Sequence, residues 1–541
     1  MIQNPILPGF NPDPCICRRG DDFYLAVSSF EWMPAIPVYH SRDLKHWELL
    51  THVLDDERVD LKKLPSAKGL WAPCLTWCEE DGLFYLVYGV MNSMNARYFD
   101  VDNFVITAPE IEGPWSEPVY LHSAGFDASM LHDGDGKKYV VSLEWEIRDS
   151  YDKPGAICVA EYDPAAKTVM GAPRRIWKGA TDRGCLEAPH LTKRDGWYYL
   201  MCAEGGTGYN HCVTMARSKN VFGPYETDPS GPILTSNPGV FSERADTDHL
   251  KPRHYNPAAS LQKAGHGSYI TLSGDVAYMV YLCARPFVPE LRCTLGRETA
   301  IARMRWTQDG WLRTADGDIL PELEVLEPEL LECPLPEPAP LDDFDGDTLQ
   351  EHYYAPRIHP QRFTDLTTRP GWVRLRGQES LPSLNKVSLL ARKLTSVNVQ
   401  ITTKMDFAPT MPQHEAGLAL YYDNMDYFTL AKHWSESLGR EVLRVTVLEN
   451  GVRTMYERVP VENAAPLFLR LYISGRESRF AWSYDGETFT KIGPVHDTTK
   501  LSDEYCSYGE FTGTMVGIYC VDRMFRRRYA DFDFFEYLTD I

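Results

Sequence analysis

The chain has little positive charge, no long apolar run and no framework of paired cysteines. Its 541 residues carry 55 Lys and Arg against 76 Asp and Glu, a formal net charge of −21. So acidic a chain repels phosphate backbones, which sets general nucleic-acid binding aside. No segment approaches the roughly 18 uninterrupted apolar residues of a membrane-spanning helix. The opening MIQNPILPGFNPDP lacks both a basic region and an apolar core, so no signal peptide is expected. Thirteen cysteines, an odd number at scattered spacings, suit reduced thiols and a cytoplasmic location. Cys15/Cys17 and Cys74/Cys78 have no second pair or histidine at zinc-site spacing and read as buried structural thiols. Convincing amphipathic helices are also nearly absent.

Aromatic residues are abundant: 12%, with 30 Tyr and 13 Trp. Aromatic walls are what flat, neutral, hydrogen-bonding ligands such as sugars stack against. Short runs rich in Tyr, Val, Phe and Leu end at Gly/Asp turns, which predicts an all-β chain. The Pro/Glu-rich stretch at 321–346 breaks this texture. It divides the chain into a first domain at 1–325, a linker at 326–341 and a second domain at 342–541. The second domain's alternating strands predict a two-sheet, lectin-like (concanavalin A-like) β-sandwich.

The first domain contains a repeat. Five units, each a short strand, a Gly/Asp turn and an apolar strand with a tyrosine, open at Asp13, Trp71, Asp127, Glu187 and His266, with gaps of 58, 56, 60 and 79 residues. A period near 60 residues with about four short strands marks a propeller blade, so a five-bladed β-propeller is predicted over a solenoid or sandwich. Equivalent positions of the innermost strands converge on the propeller axis. Three acids at one end of a narrow channel cannot all keep ordinary pKa values. The set suits hydrolysis by a general acid and a general base, or a divalent metal site with His266 contributing; solvated acids on blade rims are the plainer alternative. Glu187 is flanked by Leu186, Ala188 and Pro189, which favours its protonated form.

PILPGFNPDP, GLWAP, GFDASMLHDGDGKKY, GCLEAPHL, QKAGHGS and CTLGRETAI occur in this order, and the chain resembles the family 43 glycoside hydrolases. GEFTGTMVGIYCVD extends the resemblance to the second domain and to the group of β-xylosidases and α-L-arabinofuranosidases with a C-terminal sandwich. The resemblance implies Asp13 as general base, Glu187 as general acid and Asp127 as the residue that tunes and orients the acid. It implies an inverting, exo-acting enzyme that releases xylose from the non-reducing ends of β-1,4-xylo-oligosaccharides. α-L-Arabinofuranosidase action, or non-catalytic sugar binding, is the alternative.

Arg297 is expected to bind hydroxyls of the terminal sugar, or else to pair with Glu298. Phe30, Trp71 and Trp145 are expected as apolar walls, with Thr207 as a further contact. The GEFTG loop is expected to bring Phe511 to the pocket mouth and so restrict the enzyme to chain ends. His266 lies on the channel axis in the family, where some members bind calcium through it and others hold only water; the chemistry itself needs no cofactor. Asp345 and Asp533 read as calcium ligands or surface acids. Homo-oligomers, dimers or tetramers, are common in the family. The chain departs from the pattern at GVFSERADTDHLKPRHYNPAAS, an insertion expected at the pocket rim, whose His249 and His254 read as solvent-exposed.

Overall fold

The computed structural model describes residues 1–95, 97–148, 155–239, 254–336, 338–507 and 511–539. His249 lies outside these, and His254 is half-buried. Five antiparallel sheets of four or five strands follow one another from Cys15 to Thr314; the first leaves out the short strand Trp32–Met33. Their innermost strands are β1 (Cys15–Arg19), β2 (Gly69–Cys78), β3 (Ser129–His132), β4 (Glu187–Arg194) and β5 (Gln262–Ser273). Each inner strand lies against the next, and β5 returns to β1, closing the ring of a five-bladed propeller. Ile2–Gln3 pairs with Glu324–Val325 and ties the two ends of the ring together.

Two further sheets, of seven and eight strands, form the C-terminal concanavalin A-like sandwich. The eight-stranded sheet alternates buried with more exposed side chains, as in Leu467–Ser474, whereas strands of the seven-stranded sheet such as Met515–Asp522 are buried on both faces; the two sheets share an aliphatic core that includes Leu418, Leu430, Leu469 and Ile518.

The two domains are not separate bodies joined by a tether. Phe10, Phe30 and Trp32 of the propeller pack in one continuous core with Tyr354, Leu389 and Tyr421 of the sandwich. The strands Trp32–Met33 and Ala355–Pro356 form a ladder across the boundary. Arg357, 1% exposed, donates its Nε to the Leu64 carbonyl at 2.7 Å, and its backbone N–H bonds the Glu31 carbonyl at 2.7 Å. Lys263 of the propeller and Glu504 of the sandwich form an ion pair with side chains only 0% and 2% exposed. A large apolar interface stitched by buried polar bonds holds the domains in one orientation.

Candidate active site

In or just before each innermost strand a non-glycine residue adopts left-handed backbone at an equivalent place: Asp13 (φ 55°), Ala72 (37°), Asp127 (55°), Ala188 (51°) and His266 (52°), with Lys263 (58°) a second one in the fifth strand. Such conformations cost about 1–3 kcal/mol each and gather at functional sites. Their recurrence corrects the register of the repeat. Asp13, Asp127 and His266 are equivalent, whereas Trp71 and Glu187 stand one residue ahead of their blades' strained position, level with Phe126. Pairing slips between Trp71 and Cys74 and between Glu187 and His190. These irregularities re-aim the side chains that precede them, as β-bulges do beside active sites. Glu187 is thus offset from the two aspartates, and three like charges do not share one ring.

Asp13 is buried and held from three sides. Its Oδ2 accepts the Ser28 hydroxyl at 2.7 Å, and its Oδ1 lies 3.6 Å from both Arg297 Nη1 and His266 Nδ1. The Ser28 oxygen also receives the Ala72 N–H at 2.7 Å, which ties the first blade to the second. Burial holds His266 below its usual pKa; the Asp13 charge opposes that shift and Arg297 adds to it, so the imidazole is neutral. Asp127 accepts the backbone N–H of Ala188, the residue after Glu187, at 3.0 Å. Burial first, and the Asp13 charge second, push the Asp127 carboxyl up to about 8. Near neutral pH it carries a proton. The site therefore pairs a fixed carboxylate with a neutral carboxyl bonded to the segment that carries Glu187.

Arg297, 1% exposed, does not pair with Glu298, which instead accepts two 2.7 Å bonds from Arg285. Its guanidinium faces Asp13, donates to the Phe511 carbonyl and stands 4.0 Å from Asp503. It also lies 5.0 Å over the Phe511 ring. Phe511 stacks on Phe30 at 6.4 Å and meets Trp71 edge-on at 5.6 Å. Trp71 in turn meets Phe126 at 5.8 Å. Trp145 lies further along this wall, 5.5 Å from Phe126 and stacked on Phe99 at 4.1 Å. Its Nε1–H is fixed on the Arg97 carbonyl at 2.7 Å.

Thr207 sits in a loop tied to the Glu187 segment by Gly205 N–H to Gly184 O at 2.8 Å. A Cβ at Gly205 would meet the Asn210 carbonyl at 2.1 Å, so the loop requires glycine there. The Thr207 hydroxyl is buried and makes no hydrogen bond among the described residues.

Ser28, Phe126 and Asp503 are site residues that sequence reasoning did not single out. Phe126 had a signal, since it adjoins Asp127 in the resembling motif. Ser28 and Asp503 reach the site through neighbouring strands and the other domain, and no spacing announces them.

A calcium ion asks for roughly six to eight oxygen ligands. His266 offers a nitrogen, with the Asp13 carboxylate beside it, and belongs to neither group of three potential ligands among the described residues. That donor set does not fit a protein-built calcium cage. Asp533 pairs with Lys404 at 2.9 Å and Asp345 is exposed, so they build no shared cation site either.

The description "Glycosyl hydrolases family 43" matches residues 2–312, and "Beta xylosidase C-terminal Concanavalin A-like domain" matches residues 341–538. A xylosidase/arabinosidase of Humicola insolens is 38% identical over 556 residues, covering 99% of this chain and 97% of that one. A β-xylosidase of Bacillus subtilis is 36% identical, covering 99% of each chain. The crystal structure of a xylan β-1,4-xylosidase from Bacillus halodurans superposes with a TM-score of 0.93 at 41% identity, covering 99% of this chain and 100% of that one. With both domains matched and the likeness running end to end, the chain belongs to glycoside hydrolase family 43.

Proposed function

We propose that the protein is an exo-acting β-xylosidase that releases xylose from the non-reducing ends of β-1,4-xylo-oligosaccharides with inversion, the stereochemical course of its family. The observation that carries the proposal is the arrangement of the carboxyls. Asp13, oriented by Ser28, His266 and Arg297, is the base that activates water. Glu187 protonates the leaving oxygen, while the neutral Asp127 holds its backbone through Ala188 and places no second negative charge beside it. A single-displacement reaction of this kind divides the work between one acid and one base, with water between them.

Phe511 and Trp71 close the pocket around one terminal ring, and Arg297 presents donors to its hydroxyls. The presence of a xylosidase/arabinosidase among the relatives supports arabinofuranoside cleavage as a second activity of the same site. The proposed compartment is the cytoplasm, where thirteen cysteines persist as thiols and short oligosaccharides arrive by import.

Proton NMR of xylobiose hydrolysis tests the reading, since α-xylose must appear first. A first-formed β-anomer refutes inversion. Glu187→Ala should lower turnover on xylobiose by about 10²–10⁴-fold, and an unchanged rate removes Glu187 from the acid's role.

A further inference from the structure

Below the ring of strained residues lies a second ring. By the two-residue period of a strand, the side chains two positions on point to the same face. Those positions are Cys15, Cys74, Ser129, His190 and Ser268. The propeller brings three of them together: Cys15 Sγ, Cys74 Sγ and one His190 ring nitrogen all lie within 4.8 Å of one another. Cys74 Sγ stands 3.9 Å from His190 Nδ1, and the Ser268 hydroxyl stands 3.7 Å from Cys15 Sγ.

Tetrahedral zinc binds sulfur at about 2.3 Å and imidazole at about 2.0–2.1 Å, which separates the S and N ligands by about 3.6 Å and two sulfurs by about 3.8 Å. The observed cluster is within a few tenths of an ångström of that for its S···N edge. No residue of this cluster touches the proton transfers proposed above.

We propose that Cys15, Cys74 and His190 form a binding site for a thiophilic divalent cation, zinc in the first instance, in the propeller channel one pleat beneath the sugar pocket. Two thiolates cancel the ion's double charge, so the loaded site is neutral inside the channel. Each ligating thiol gives its proton to solvent, and a water or the Ser268 hydroxyl completes the tetrahedron. The site is separate from His266, which belongs to the ring above.

The test uses the full chain, stripped with a chelator and loaded with one equivalent of zinc or of cobalt(II). Zinc K-edge X-ray absorption should report two sulfurs and one imidazole, and cobalt should show thiolate-to-metal charge-transfer absorption with tetrahedral visible bands. Cys74→Ser should weaken zinc at least about 10–100-fold, the loss that even an outer-shell change causes, and Cys15→Ser combined with it should remove the charge-transfer band. An oxygen- and nitrogen-only shell around zinc in the wild type overturns the proposal, and needs no variant to fold. Persistence of the thiolate band in the folded double variant overturns it as well.

Discussion

Replacing Asp127 with asparagine isolates the electrostatic cost of the site. The substitution keeps the shape and a neutral side chain, and its amide oxygen can still accept the Ala188 N–H that Asp127 now accepts at 3.0 Å. In the unfolded chain the carboxyl titrates at its ordinary value of 3.8, whereas in the folded protein it is held at about 8. A carboxyl raised on folding binds more protons folded than unfolded. Its unfavourable contribution is therefore absent below the unfolded value, grows as pH rises and levels off above the folded value.

At about 1.36 kcal/mol per pKa unit, the interval from pH 5 to the folded value spans 8 − 5 = 3 units, or about 4 kcal/mol. That figure is a ceiling, because Asp127 keeps a partly accessible face toward the pocket. Urea unfolding followed by tryptophan fluorescence at pH 5 and pH 9 gives the answer. Asp127→Asn should gain on the wild type between the two values, by up to about 4 kcal/mol. A stability difference that does not change with pH refutes the reasoning, since it would mean that Asp127 titrates alike in both states.

Two further outcomes follow from the join between the domains. Phe511→Ala removes a ring that stacks on Phe30 and meets Trp71 edge-on and leaves its carbonyl on Arg297, so steady-state kinetics should show KM for xylobiose rising several-fold with a smaller change in kcat. An unchanged KM places Phe511 outside the pocket. Glu504→Gln leaves the buried Lys263 ammonium without its ion-pair partner, at a cost of about 3–5 kcal/mol. Calorimetry should show a lower Tm, and kcat/KM should fall with it because Asp503 and Phe511 lie on the same segment. Unaltered stability with unaltered activity would mean that this ion pair does not seat the segment.

The sequence by itself determined the all-β class, the five-fold repeat and the family. Strand periodicity, turn spacing and short motifs are local properties, legible without coordinates. It also singled out Asp13, Asp127, Glu187 and His266, because the repeat places them at or near the channel and the resembling motifs name them, and Arg297 because the resemblance names it. It could not set the register within the repeat. The left-handed residue of the second and fourth blades is an alanine, with nothing in its side chain to mark it, so Glu187 and Trp71 aligned one residue early. Nor could it say which carboxyl holds a proton. The resemblance named Asp127 only as the residue that tunes and orients the acid; a pKa answers to neighbours in space, and burial beside Asp13 raises Asp127.

The same limit hid the thiols. Cys15, Cys74 and His190 are 59 and 116 residues apart in sequence, from 74 − 15 and 190 − 74, far outside any zinc-finger spacing. A closed ring of blades brings equivalent strand positions together whatever the chain length between them, so only the tertiary structure makes a cluster of them. The paucity of basic residues and of paired cysteines excluded broad classes of function. Where the few consequential acids and thiols meet was decided by the closure of the propeller and by the sandwich packed against it.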